Sequence, residues 1–331
     1  CGVGVTTVSR AINNHPDINE DTKSMIMQVI KENHYVPNNS ARNLKRSASK
    51  TIAVLIKGIT NPFFNRMLQV FEKETHRHKY SYILQRVDEN QDEIDVAIEL
   101  EKEKRLKGII FLGGYFSHSK EKLDQLSVPF VLSTIAMMSE VDRNNYSSVS
   151  VDDFKESYKL VSYLCGLGHK KIAIIAASVD DESIGKLRYE GYKKALEDHG
   201  LTVEKNLVRY MKEDIETYTM ENGYVVTNEL LRSKEEFTAI YAISDSLAVG
   251  ACKAILESGK RVPEDYSVAG FDGLDISFYY TPSITTIRQP VEEIAEETIK
   301  ILFDLIHNKT TQAHKTFPAE LVVRESTRPL L

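Results

Sequence analysis

The segment PNNSARNLKRSASK, residues 37–50, separates two parts of the 331-residue sequence that follow different periodicities. Before it, apolar residues recur at helical spacing over a short span. After it, apolar runs of strand length alternate with longer amphipathic patterns to the end of the chain. Pro37 and the run Ser47-Ala48-Ser49 border the segment. Ser40 to Arg46 has the length of about two helical turns, too short to be stable alone in water. Its cations are Arg42, Lys45 and Arg46, and its one large apolar residue is Leu44. Two readings are open: a solvated linker, or a hinge that folds only against DNA, with Leu44 wedged between base steps of the minor groove. The flanking segments choose between them.

On the C-terminal side, TIAVLI (51–56) reads as a buried strand. ITNPFFNRM follows, with Asn61 as a cap, Pro62 at the first helical position, and Phe64, Met67, Leu68 and Phe71 as one apolar stripe. YSYILQ (80–85), KGIIFLGG (107–114) and VPFVLS (128–133) are further strands, with helices between the first three. This is a parallel sheet built from right-handed crossovers.

A second round begins near Val151: a helix ending at Gly168, strand KIAIIAA (171–177), helix LRYEGYKKALEDHG and a strand near Leu207 to Tyr210. A helix through Tyr224 to Leu231, strand FTAIYAIS (237–244), helix Leu247 to Glu257 and strand YSVAGFD (266–272) come next. A helix opened by Pro290 and a closing strand FPAELVVRES (317–326) complete the chain. Two similar α/β lobes in series imply a cleft between them, faced by the carboxyl ends of the strands.

Strand ends nominate the residues that line this cleft. Phe63 and Phe64 follow the first strand, Asp152 opens the second round, and Arg188 lies early in a helix after KIAIIAA. Tyr218 precedes ENGY, Ser244 ends FTAIYAIS, and Asp272 ends VAGFD. Carboxylates accept hydrogen bonds from sugar hydroxyls, an Arg offers a fork of donors, and aromatic rings pack on the apolar face of a sugar or on a purine. Each has a plainer role open to it: Phe64 belongs to a helix stripe, and Ser244 suits an N-cap.

On the N-terminal side, VTTVSRAIN (5–13) sets Val8 and Ile12 at helical spacing, after Gly2 and Gly4. After the loop NNHPD a second helix starts, with Asn19 as N-cap, Glu20 and Asp21 at its positive end, and Met25, Ile26, Val29 and Ile30 as a stripe. Two short helices make a thin core, so a partner helix is expected upstream of Cys1. Residues 1–50 carry a charge of +3, against −9 for the remainder and −6 for the whole chain. A basic head on an acidic body fits nucleic-acid contact by the head alone.

GVGVTTVSRAIN, then HYVPN, then ARNL resembles the head and hinge of the lac-repressor family of bacterial transcription regulators (the LacI/GalR group). The order and spacing of the three motifs carry the resemblance. It implies a helix-turn-helix head over residues 1–36, its first helix lying before Cys1, a hinge helix over 37–50, and a two-lobed sensor of the periplasmic sugar-binding fold over 51–331. The resemblance therefore covers essentially the whole chain. By it, Val5, Thr6 and Arg10 occupy the base-reading face, Thr7, Ser9 and Asn13 lie near phosphates, and Leu44 and Arg42 enter the minor groove. Arg10 can fork to guanine, and Thr6 offers hydroxyl or methyl contacts in the major groove. The fold crosses between lobes three times, placed here near Asp152, Thr285 and His314. This gives one lobe as 51–152 with 285–313 and the other as 153–284 with 314–331.

The function implied is a cytoplasmic, ligand-controlled transcription regulator, a repressor, that binds double-stranded operator DNA as a homodimer and senses a small effector, with a sugar the first expectation. Two alternatives stand beside it. An exported sugar-binding lipoprotein with lipid on Cys1 explains the two lobes but not VTTVSRAIN or ARNL. An enzyme working in the cleft would need a catalytic constellation, and the sequence has no HExxH, GxSxG, CxxC or phosphate loop. Cys1, Cys165 and Cys252 show no metal or redox spacing, so neither cofactor nor metal is expected. No stretch reaches the ~18 apolar residues of a membrane span, and none reads as a signal peptide.

Overall fold

The structure, a computed structural model, describes residues 2–12, 15–32, 50–88, 91–137 and 142–330. Cys1, Asn13, Arg42 and Leu44, and with them the expected hinge helix, lie outside the described residues. The chain divides into two compact units, Cys1–Ser49 and Lys50–Leu331.

In the first unit, α1 spans Val5–Ile12 and α2 spans Glu20–Glu32. The Asn19 side-chain oxygen accepts the backbone N–H groups of Asp21 (2.9 Å) and Thr22 (3.2 Å), as an N-cap should. Ala11 and Ile26 are the buried apolar residues of this helix pair among the described ones.

The second unit begins with β1 (Thr51–Ile56), α3 (Phe63–Arg77), β2 (Ser81–Arg86), α4 (Glu93–Lys104), β3 (Gly108–Leu112), β4 (Tyr115–Phe116) and α5 (Lys120–Leu123). It continues through β5 (Phe130–Ser133), β6 (Ala136–Met137), β7 (Ser147–Val151), α6 (Asp153–Gly166), β8 (Ile172–Ala176), α7 (Ile184–Asp198), β9 (Val208–Tyr210) and α8 (Met220–Arg232). The last elements are β10 (Ala239–Ala242), α9 (Asp245–Glu257), β11 (Ser267–Asp272), α10 (Asp275–Tyr279), β12 (Thr285–Arg288), α11 (Val291–Ile306), β13 (His314–Phe317) and β14 (Glu320–Val322).

Among the described residues these strands form two six-stranded sheets, ordered β13-β7-β5-β3-β1-β2 and β14-β12-β11-β10-β8-β9, and β4 pairs with β6 in a separate two-stranded one. Neighbours are parallel except β12 and β14. The fold is thus α/β with two parallel-sheet lobes. β1 shows why such strands read as unbroken apolar runs. Ile52, Val54 and Ile56 pack with Met67 and Phe71, while Ala53 and Leu55 on the opposite face pack with Ile94 and Ala97.

The chain passes from the first sheet to the second at Asp152. The two later crossings fall further along than the expected Thr285 and His314. β12 still pairs with β11, from Ala269↔Thr285 to Asp272↔Arg288, so residues 285–288 belong to the second lobe. β13 pairs with β7 in the first. The expected strand 317–326 is in fact split at Pro318, its two pieces lying in different sheets. Pro290 and Pro318 mark the departures, because proline cannot donate to a ladder. β7, SSVSV, was not expected as a strand; its buried residues alternate with serines that blur the apolar signal.

Candidate functional site

In the helical unit, α1 separates its residues cleanly by exposure. Val5, Thr6, Ser9 and Arg10 are exposed, Val5 at 86%, whereas Thr7, Val8 and Ile12 are partly covered and Ala11 is buried. At about 100° per residue, positions 5, 6, 9 and 10 share one side of the helix. On that side Val5, Thr6 and Arg10 present a valine, a hydroxyl and a guanidinium, a set suited to base edges and the thymine methyl group in a major groove. The turn before it brings the Thr7 N–H onto the Gly4 carbonyl at 2.9 Å, with Gly2 at φ +64°.

In the two-lobed unit, a cavity of about 1000 Å³ lies where the lobes meet. Its walls come from the start of α3, from the loop after β11, and from both later crossings. Of the residues expected at the cleft, Phe63 and Asp272 line it. Asp272 ends β11 with φ +112° and is followed by Gly273 at φ +78°. An added Cβ at Gly273 would sit 2.6 Å from the Arg288 Cα, so the tight turn needs glycine there. The positive φ at Asp272 is a strained conformation that re-aims its carboxylate.

The carboxylate is held from two sides. Gln289 donates its side-chain amide to Asp272 Oδ1 at 3.0 Å and its backbone N–H to the Asp272 carbonyl at 3.1 Å. Arg188 Nη1 lies 3.3 Å from the same Oδ1. Asp272 Oδ2 is shielded from solvent and has no hydrogen-bond partner among the described residues.

Arg188 lies beneath the cavity, 1% exposed. Its Nε donates to Asp153 Oδ1 at 2.8 Å and its Nη1 to the Ile243 carbonyl at 2.6 Å, and its guanidinium rests 3.7 Å from the Phe271 ring centroid. Burial acts to lower its pKa, and the neighbouring Asp153 and Asp272 charges reverse that and raise it, so the group stays cationic. Burial pushes the Asp272 carboxyl up to about 6, against the opposing pull of Arg188. Tyr218, with φ +57°, sits close enough to Asp181 that both would crowd a Cβ at Gly185. Burial raises its phenol well above the usual range.

The other expected residues have local tasks. Ser244 caps α9, accepting the Leu247 N–H at 3.3 Å. Asp152 is exposed and caps α6 through the Lys155 N–H at 3.0 Å. Phe64 is 5% exposed and lies in the first lobe against Gly113, its ring edge-on to Phe63 at 5.5 Å. Two site residues escaped the sequence reading. Asp153, beside the nominated Asp152, is the buried carboxylate that meets Arg188. Gln289 was signalled only by its place before Pro290. A hydrogen bond from Thr60 to Glu216, 2.8 Å, joins the lobes elsewhere along their boundary.

Residues 1–38 match the model of bacterial regulatory proteins of the lacI family, and residues 161–327 match the periplasmic binding protein-like domain. The chain is 40% identical to the helix-turn-helix-type transcriptional regulator MalR of Clostridium butyricum, over 98% of this chain and 96% of that one. The chain belongs to the LacI family of transcriptional regulators. Among solved structures, a ribose-bound LacI-family regulator from Enterococcus faecium superposes with TM-score 0.71 at 28% identity, over 85% of this chain and 100% of that one. The regulator CelR in complex with cellobiose superposes with TM-score 0.73 at 26% identity, over 98% and 96%. LacI-family membership assigns the helical unit to sequence-specific DNA binding and the two-lobed unit to ligand sensing. The lipoprotein alternative finds no support, since the matched head is a DNA-binding one and the relatives are transcriptional regulators.

Proposed function

We propose that this LacI-family regulator is a repressor that binds a pseudo-palindromic operator as a homodimer and responds to a sugar held at Asp272. The observation that supports this most directly is the pairing, on one chain, of an exposed Val5–Thr6–Ser9–Arg10 face with a buried Asp272 oxygen at an interlobe cavity. Arg10 and Thr6 read bases, Thr7, Ser9 and Asn13 meet phosphates, and Arg42 and Leu44 make the minor-groove contact of a hinge. Sugar hydroxyls donate to Asp272, Phe63 packs on a ring face, and Arg188 holds Asp272 in place. Phe64, Asp152 and Ser244 shape the cleft through packing and helix caps. Ribose-bound and cellobiose-bound relatives agree with a sugar effector.

One head reads one half-site, so palindromic recognition requires two. The protein acts in the cytoplasm, where the operator is, and no described helix is long and apolar enough to cross a membrane. An effector that favours a lobe arrangement unsuited to the paired hinges is an inducer, and one that favours the suited arrangement is a corepressor. Either works only through its difference in affinity for the two states.

Two substitutions in the full-length protein test the assignment together. Arg10→Ala lowers affinity for the specific operator by about 5- to 150-fold, since a bidentate base contact is worth ~1–3 kcal/mol. Effector binding is unchanged in that variant. Asp272→Asn keeps operator affinity and loses the response to effector. Fluorescence anisotropy on operator DNA and calorimetric titration of effector read both. Operator affinity that survives Arg10→Ala would remove α1 as the reading helix.

A further inference from the structure

The charge and size of the interlobe cavity narrow the class of sugar it accepts; this rests on the sugar reading of the site above. The cavity wall carries five carboxylates, Asp272, Asp275, Glu292, Glu293 and Glu320, against two guanidiniums, Arg66 and Arg288. Both guanidiniums are already engaged. Arg66 Nε donates to Glu292 Oε1 at 2.6 Å, and Arg288 is ion-paired with Glu320. These pairs are solvent-exposed and can open at little cost. Opening them frees a cation only by leaving its carboxylate partner beside it, so the wall stays acidic. Arg188, the one buried guanidinium among the described residues, is spent on Asp153, Asp272 and the Ile243 carbonyl. A phosphate or carboxylate entering this space therefore meets a negative field and no free fork of donors.

What the wall does offer is acceptors and apolar surface. The shielded Asp272 Oδ2 has no hydrogen-bond partner among the described residues. Such oxygens are satisfied by hydroxyl donors and not by further anions. Phe63, Leu274, Ile276 and Pro290 supply apolar contact of the kind a pyranose face needs. The cavity, about 1000 Å³, lies at the top of the ~300–1,000 Å³ range of small-molecule sites. A single sugar ring bound at Asp272 would leave most of it to water.

We propose that the effector is an uncharged saccharide of two or more rings, and that the cleft discriminates against phosphorylated and carboxylated sugars. Glu293 and Glu320 act as the selectivity wall, and Asp272 as the hydroxyl-binding anchor.

Titration calorimetry on the full-length protein tests this with matched probes: maltose, cellobiose, sucrose, lactose and trehalose, with glucose, ribose, glucose 6-phosphate, trehalose 6-phosphate and hypoxanthine. The expected result is a neutral disaccharide binding at least about tenfold tighter than any monosaccharide or any phosphorylated sugar. The double variant Glu293→Gln, Glu320→Gln then narrows the ratio between neutral and phosphorylated ligands, which purely steric exclusion would leave unmoved. A monosaccharide or a phosphorylated sugar as the tightest ligand overturns the proposal while the sugar reading survives. Hypoxanthine as the only ligand, or no saccharide binding at all, overturns both. An unchanged ratio in the double variant removes the electrostatic wall.

Discussion

Asp245 and Asp272 show how a single carboxylate's surroundings set its task. Asp245 is fully buried, and its two oxygens accept the Thr286 hydroxyl and the Leu274 N–H, each at 2.6 Å. Burial first, and the nearby Asp272 charge second, push its carboxyl up to about 7, while burial brings Asp272 to about 6. Both start from an ordinary value of 3.8 in the unfolded chain. Their folded-state pKa values are therefore raised, and the stability they confer is full below about pH 4 and lost as pH rises through 6 and then 7. Asn at position 245 mimics the protonated acid, since its oxygen accepts from Leu274 and its amide donates to the Thr286 hydroxyl. Asp245→Asn should flatten the fall of the thermal midpoint between about pH 4 and 7, each such group accounting for at most ~1.4 kcal/mol per pH unit. Identical slopes in the two proteins would mean that Asp245 is ionised when folded. At this scale the sequence was legible where a strand end fixed the residue, as with Asp272. It was not legible at Asp152-Asp153, because which of two adjacent carboxylates faces inward depends on where α6 starts, and a one-residue shift rotates the side chain by about 100°.

At the scale of elements, strands and helices were recoverable wherever period and punctuation agreed, as in TIAVLI and in the Asn61-Pro62 start before α3. The later crossings were harder, because a strand leaving one sheet for another looks continuous by hydropathy. Pro290 and Pro318 held that information. The packing of α8 against α9 was also written in single glycines. An added Cβ at Gly250 would overlap the Met220 carbonyl oxygen, and one at Gly223 would overlap the Leu247 carbonyl oxygen. Isolated glycines inside helical patterns mark such close approaches. Tyr218 precedes α8 and Ser244 caps α9, so the spacing of these two helices sets the positions of two residues expected at the cleft. Gly250→Ala should therefore force the helices apart and destabilise the protein by about 1–3 kcal/mol, the usual cost of overpacking. Denaturant titration measures it, and a gain in stability, as expected if only helix propensity mattered, would show that the helices separate freely.

At the scale of the whole molecule, the proposed function requires an event at Asp272 to reach DNA read by two heads. α10 begins three residues after Asp272 and carries Phe278 and Tyr279, 59% and 77% exposed. Their rings stand edge-to-face at 5.1 Å, with the Arg324 guanidinium 5.6 Å from the Phe278 ring. A pair of large exposed aromatics beside an arginine has the make-up of an interface core. On the proposed function, a second copy of this chain is the partner that a pseudo-palindromic operator requires. Asp272, the proposed effector anchor, and the proposed dimer face thus share one short stretch of chain, so ligand contacts at Asp272 can bias how two protomers meet. Tyr279→Asp places a charge at the centre of that face and should shift the protein from dimer to monomer in sedimentation equilibrium. Operator affinity should then fall and become steeply dependent on protein concentration, because dimerisation must now be driven by the same binding energy. Affinity of the isolated protein for its effector should change little, since α10 leaves Asp272, Gln289 and Arg188 in place. A Tyr279→Asp protein that remains dimeric would move the interface away from α10. A monomeric one with undiminished operator affinity would show that a single head suffices, and would remove the symmetry argument with it.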